Sequence, residues 1–87
     1  MKPLSVVIPI HDGMPNGDKF LWHSLEMLSQ QTFQDYELII SKTHSTMGRN
    51  FNEGIKRATG RLIKLLCLDD HLTHKNALQD IVETFRG

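Results

Sequence analysis

The chain has one cysteine, Cys67, and this excludes an internal disulfide. No second thiol stands near it, so a thiolate zinc site is excluded too, and a reducing cytoplasm is the expected compartment. Neither sign of charge dominates: ten Lys and Arg balance ten Asp and Glu, for a formal net charge of zero. Proteins that grip the phosphate backbone of nucleic acid carry a basic stripe; none is present, and no nucleic acid partner is expected. No apolar run approaches the ~20 residues that cross a bilayer, so no transmembrane segment is expected. The opening MKPLSVVIPI has prolines at 3 and 9 and no small-residue cleavage site, and it reads as a strand, not a signal peptide. What remains is ordinary for a soluble globular chain, with 39% apolar and 23% charged residues. Its 87 residues make one domain, 1–87, with a thin core, because a chain of this size buries only roughly 60–65% of its unfolded surface.

The apolar residues fall into alternating patterns. LSVVIPI (4–10) is β-branched and apolar on both faces, which predicts a buried strand. HDGMPNGD (11–18) is a loop, a connector or a lid. Asp18 can cap a helix running to about 31, with Leu21, Leu25 and Leu28 on one face. QTFQDY connects to a second strand, ELIIS (37–41). After the polar KTHSTMGRN, a second helix over 47–58 is expected to bury Phe51 and Ile55 and to end at Gly60. LIKLLCL (62–68) is a third strand. Thr73 or a neighbour caps a last helix whose apolar face is Leu78, Ile81, Val82 and Phe85. The order β-α-β-α-β-α predicts an α/β fold: a Rossmann-like three-layer unit with a short parallel sheet and right-handed crossovers.

In open sheets of this kind ligands bind beyond the carboxyl ends of the strands. His11 and Asp12 follow the first strand, Lys42, Thr43, His44 and Ser45 the second, and Asp69, Asp70 and His71 the third. Two adjacent acids at a strand end suit a hard cation, Mn²⁺ or Mg²⁺, which shares its sphere with waters and phosphate oxygens. The same pair also suits a helix N-terminus with no ligand at all, through the helix dipole. Lys42 is a solvated residue or a phosphate contact. His71 and His74 are candidate transition-metal ligands or solvent-facing histidines. Trp22 and Phe20 are expected to pack the first helix on the sheet, with a sugar-stacking platform as the alternative. Cys67 is expected to be a small buried apolar residue, and Met14 and Met47 to fill gaps.

Three segments, PLSVVIPIHDG, LEMLSQQTFQDYELIIS and GRNFNEGIKRATGRLIKLLCLDDHL, occur in the order found in family 2 glycosyltransferases, and the chain resembles that family over nearly all its length. The resemblance implies part of a GT-A fold, namely the half that binds a nucleotide-diphosphate sugar, with a UDP-sugar foremost. It implies Mn²⁺ or Mg²⁺ as cofactor and a glycan or lipid-linked acceptor hydroxyl, in polysaccharide or related assembly. By the same resemblance Pro9, Ile10 and His11 line the nucleotide pocket, Arg49 and Asn50 approach the nucleotide, and Asp69 and Asp70 contact ribose and metal. Lys42 stands where many members place a base-reading acid, and Cys67 where they place the first acid of Asp-x-Asp. The acceptor half and its catalytic base fall outside these 87 residues, and a strand that many members insert after the second strand is missing. The expected location is the cytoplasm or the cytoplasmic face of a membrane. The alternative function is a non-catalytic module that binds nucleotide or self-associates through its open sheet edges as a homo-oligomer.

Overall fold

A computed structural model describes residues 2–11, 17–43, 47–66, 72 and 74–85 of the chain. Asp12, Met14, His44, Ser45, Cys67, Asp69, Asp70, His71 and Thr73 therefore lie outside the described residues. The elements are β1 (Leu4–His11), α1 (Gly17–Ser29), β2 (Tyr36–Thr43), α2 (Met47–Arg57), β3 (Leu62–Leu65) and α3 (Ala77–Thr84). The three strands form one parallel sheet in the order β2-β1-β3. The expected α/β alternation is thus the observed fold. No helix among the described residues is long and apolar enough to cross a membrane.

β1 is the centre of the molecule, and its alternation sorts the two layers that cover it. Leu4, Val6, Ile8 and Ile10 face one way and join Leu28 of α1 and Leu78 and Val82 of α3 in the main core. Ser5, Val7 and Pro9 face the other way, toward α2. That second face is built for close approach. Gly54 of α2 sits on Val7, and a Cβ there would overlap the Val7 side chain and come to 3.4 Å of Ser41 Cβ. Gly60, in the turn after α2, leaves no room either: a Cβ would lie 2.6 Å from Ser5 N and 2.7 Å from Leu4 C.

Hydrogen bonds across long sequence separations fix the ends of the helices. The Gln31 side chain is buried. Its Nε2 donates to the His74 carbonyl at 3.0 Å, and its Oε1 accepts the Leu78 N–H at 3.1 Å. Gln31 thereby caps α3, since Asn76 at the N-cap position makes no side-chain cap bond. The expected cap at Thr73 lies outside the described residues, and this one comes from a residue just after α1. Thr32 adds its N–H to the Lys75 carbonyl and its hydroxyl to Asn76 Oδ1. At the amino end of the sheet, Glu37 accepts from the Thr59 N–H, the Thr59 hydroxyl and the Ser5 hydroxyl. Ser5 Oγ in turn accepts the Gly60 N–H at 2.8 Å.

Four burial expectations fail, for geometric reasons. Trp22 is 72% exposed and Phe20 43%. The stripe of α1 that meets the core runs through Ser24 and Leu28, flanked by Leu21 and Leu25, and Phe20 and Trp22 lie on either side of it, each about 100° round from Leu21. Ile55 of α2 is exposed as well. The helix seats its Asn50–Gly54 line on β1 and β2, and Ile55 points past that line. Phe85 comes after the last turn of α3 and is 67% exposed. β2 also runs beyond the expected 37–41, because Lys42 and Thr43 continue the ladder opposite Ile10 and His11.

Candidate functional site

The chain leaves β1 to make β2 on one side, and β3 then adds on the other. The strand order reverses at β1, and in open α/β sheets the crevice outside the carboxyl ends at such a reversal is where ligands bind. β1 and β2 end flush, with His11 aligned on Thr43. β3 stops earlier: Leu65 is aligned on Val7, and the Leu66 N–H still donates to the Val7 carbonyl at 2.9 Å. The last four residues of β1 therefore project past Leu65, a step of about 13 Å at ~3.3 Å per residue.

Pro9 lies in this step, in the central strand, where a residue without an N–H is ordinarily excluded. The ladder explains why it is tolerated. Pro3 and Val7 present their carbonyls to β3, so by the alternation of a parallel ladder the missing N–H of Pro9 would also point to the β3 side. By the register it would have met the Leu66 carbonyl, one residue past the end of β3, so the proline takes no hydrogen bond from within β3. Pro9 and Ile10 are themselves buried. Pro9 faces α2 and Ile10 the main core, so only their backbone borders the strand end.

Asn50 joins this corner together. It lies in the first turn of α2, is fully buried, and donates from Nδ2 to the Ile10 carbonyl at 2.8 Å. That bond holds the N-terminus of α2 at the carboxyl end of β1. Arg49, next to it, is exposed. The first turn of α2 contains no acid, and Lys56 and Arg57 occupy its last turn. The basic last turn suits the helix dipole, and the helix's own first turn supplies no acid to its positive end.

Of the expected site residues, the structure thus brings Pro9, Ile10, His11, Lys42, Arg49 and Asn50 to one end of the sheet. Asp69 and Asp70, the expected metal ligands, lie outside the described residues. Among the described residues, no group of three or more His, Cys, Asp or Glu gathers as a metal site. The fit of a metal to this chain therefore stands on the oxygen chemistry of two acids that follow β3 in sequence. His74 has other work: its Nδ1 accepts the Asn76 N–H at 3.1 Å, and its Nε2 is 3.3 Å from an Asp80 carboxylate oxygen. Both ring nitrogens are engaged at the start of α3.

The sequence pattern does not disclose the structural clamps, Gln31 and Glu37. The Thr59 N–H and hydroxyl and the Ser5 hydroxyl hold the Glu37 carboxyl below its usual range. It lies at the amino end of the sheet, away from the strand-end corner. The signal that could reveal it is an acid set in an otherwise apolar strand. In comparisons with protein-family models, with curated proteins and with solved structures, nothing matches this chain.

Proposed function

We propose that the chain is the donor-binding half of a family 2-like glycosyltransferase. It binds a nucleotide-diphosphate sugar and Mn²⁺ or Mg²⁺ at the carboxyl end of the sheet, for transfer to an acceptor hydroxyl. One observation carries this reading. The strand order reverses at β1, and the ends of β1 and β2 and the start of α2 meet there, in a chain whose Asp69–Asp70 pair comes four residues after the end of β3. Asp69 and Asp70 hold metal and ribose, and the metal when bound supplies charge to offset the diphosphate. The backbone of Pro9, Ile10 and His11 borders the nucleoside. Lys42 and Arg49 supply cationic charge for the phosphates. Asn50 positions the helix end and need not touch the ligand. Transfer to a hydroxyl requires a base, and no residue of 1–87 is assigned that role.

Calorimetric titration with UDP, GDP and CDP, each with and without Mn²⁺, tests the reading. Metal-dependent binding that Asp69→Asn abolishes supports it and identifies the nucleobase. A folded chain that binds none of the three, with or without metal, overturns it.

A further inference from the structure

Among the described residues, β2 is paired on one side only. β1 takes its inner edge, and the next element, α2, begins after residues 44–46, which leaves no room for a strand between them. Among the described residues, no strand pairs with its outer edge. Pro3 and Val7 of β1 present their carbonyls to β3, so the even residues of β1 serve β2, and the even residues of β2 point their backbone groups outward. Arg57 shows this directly, because it donates to the Ile40 carbonyl at 2.9 Å. The outward residues Leu38 and Ile40 are also exposed, at 39% and 36%. They lie on the α1/α3 face, aligned with Val6 and Ile8. A long apolar strand edge left open is a pairing surface.

The sequence of this edge says what pairs with it. We propose that two copies of the chain join β2 to β2, antiparallel, about a two-fold axis at Ile39, so that the two sheets become one. Directly opposed side chains share a face, so residues of like parity must oppose one another. With the axis at Ile39, Leu38 of each copy opposes Ile40 of the other. Tyr36 opposes Lys42, and Glu37 opposes Ser41. No like charges meet, and nearly the whole strand pairs. Outward even residues meet outward even residues, so their N–H and C=O groups form hydrogen-bonded pairs. The Ile40 carbonyl keeps a second lone pair beside the one Arg57 uses. An axis at Leu38 shortens the overlap, and an axis at Ile40 sets Leu38 against Lys42. The other edge is shorter: β3 has only four residues against the eight of β2, so it offers fewer ladder bonds to a partner strand. The contact is isologous, so it closes at a dimer.

The test is sedimentation equilibrium of the whole chain and its variants, with folding checked by circular dichroism. Wild type is expected to show a monomer–dimer equilibrium. Leu38→Glu and Ile40→Lys alone should each weaken it by about 2- to 30-fold, since each pair occurs twice in the dimer. The double variant L38E/I40K should recover most of that loss, because the carboxylate introduced at position 38 then faces the ammonium introduced at position 40 of the other copy, in this register alone. A wild-type chain that stays monomeric up to its solubility limit overturns the proposal, and that measurement needs no variant. A dimer indifferent to both single changes, or one that the double variant fails to restore, also overturns it. So does a dimer that Ile63→Lys dissociates as readily, which would place the contact at β3.

Discussion

Asn50 separates the folding role from the binding role at the strand-end corner. Its side chain is fully buried and its amide donates to the Ile10 carbonyl at 2.8 Å. Asn50→Ala leaves that carbonyl without this donor, which costs about 1–3 kcal/mol. The space left by the amide adds about 1 kcal/mol. A total of about 2–4 kcal/mol is a large share of what a chain of this length holds, roughly 4–13 kcal/mol at 0.05–0.15 kcal/mol per residue. Urea unfolding followed by circular dichroism should show the midpoint fall by about 2 M, taking a slope near 1.5 kcal/mol per M. Asn50→Asp is sharper, because it keeps the shape and replaces the donor with a carboxylate facing a carbonyl. Burial disfavours the charged form, so the new acid titrates higher folded than unfolded. The sign follows: the variant is least damaged below the unfolded carboxyl pKa, where its protonated oxygen can donate to Ile10. It loses stability as pH rises through the unfolded pKa, and the loss is complete above the folded one. An Asn50→Ala midpoint within experimental error of wild type would refute the buried-anchor account and return Asn50 to the ligand.

Two further predictions concern stability elsewhere. The Thr59 N–H, the Thr59 hydroxyl and the Ser5 hydroxyl hold the Glu37 carboxyl low; its contribution is therefore complete above the unfolded value of about 4.3 and is lost as pH falls through the folded value. Glu37→Gln should flatten that acid limb of the stability–pH curve, and an unchanged acid limb would remove Glu37 from the account. Ser24 is buried in α1, and its hydroxyl has no hydrogen-bond partner among the described residues. Ser24→Ala should raise stability by about 1 kcal/mol, through relief of desolvation and better helix propensity, read as a higher urea midpoint; a fall would mean that the hydroxyl is satisfied in solution.

The strands and their order along the chain are legible in the sequence because β-branched runs bounded by Gly, Pro and Asp have few other uses. The parallel alternation alone places the polar residues at one sheet end. Periodicity does not say how wide a neighbour lies over each helix face. Leu28 and Leu78 fit the core pattern and are core, whereas Ile55 shares the pattern and is exposed, because α2 packs chiefly on β1 and β2 along another line. Trp22 departs from expectation for a related reason, since its helix meets the core along a stripe that passes it by. The clamps are illegible on other grounds. Gln31 meets Leu78, and Glu37 meets Thr59, across stretches that no local pattern connects. At the strand-end corner, Asn50 sits where the sequence places it, but its hydrogen bond to Ile10 makes it part of the frame.

These placements change what the resemblance to family 2 glycosyltransferases carries. The segments behind it include Gln31, Thr32, Glu37, Asn50, Gly54 and Gly60. In this structure Gln31 caps α3, Thr32 ties α1 to it, and Glu37 clamps the turn after α2. Asn50 anchors α2, and Gly54 and Gly60 allow the close packing beneath it. Each of these residues is explained by folding alone. They therefore account for the α/β fold and add nothing to the proposed reaction. The weight of the functional reading falls on Asp69 and Asp70 and on the cations Lys42 and Arg49. Asp69→Asn and Asn50→Ala consequently make a discriminating pair. In the proposed reading the first abolishes metal-dependent nucleotide binding and leaves the urea midpoint in place. The second lowers the midpoint and leaves the affinity of the folded fraction nearly unchanged. If Asp69→Asn instead lowered the midpoint and left nucleotide binding intact, the acids would belong to the fold as well, and the donor site would lose its principal support.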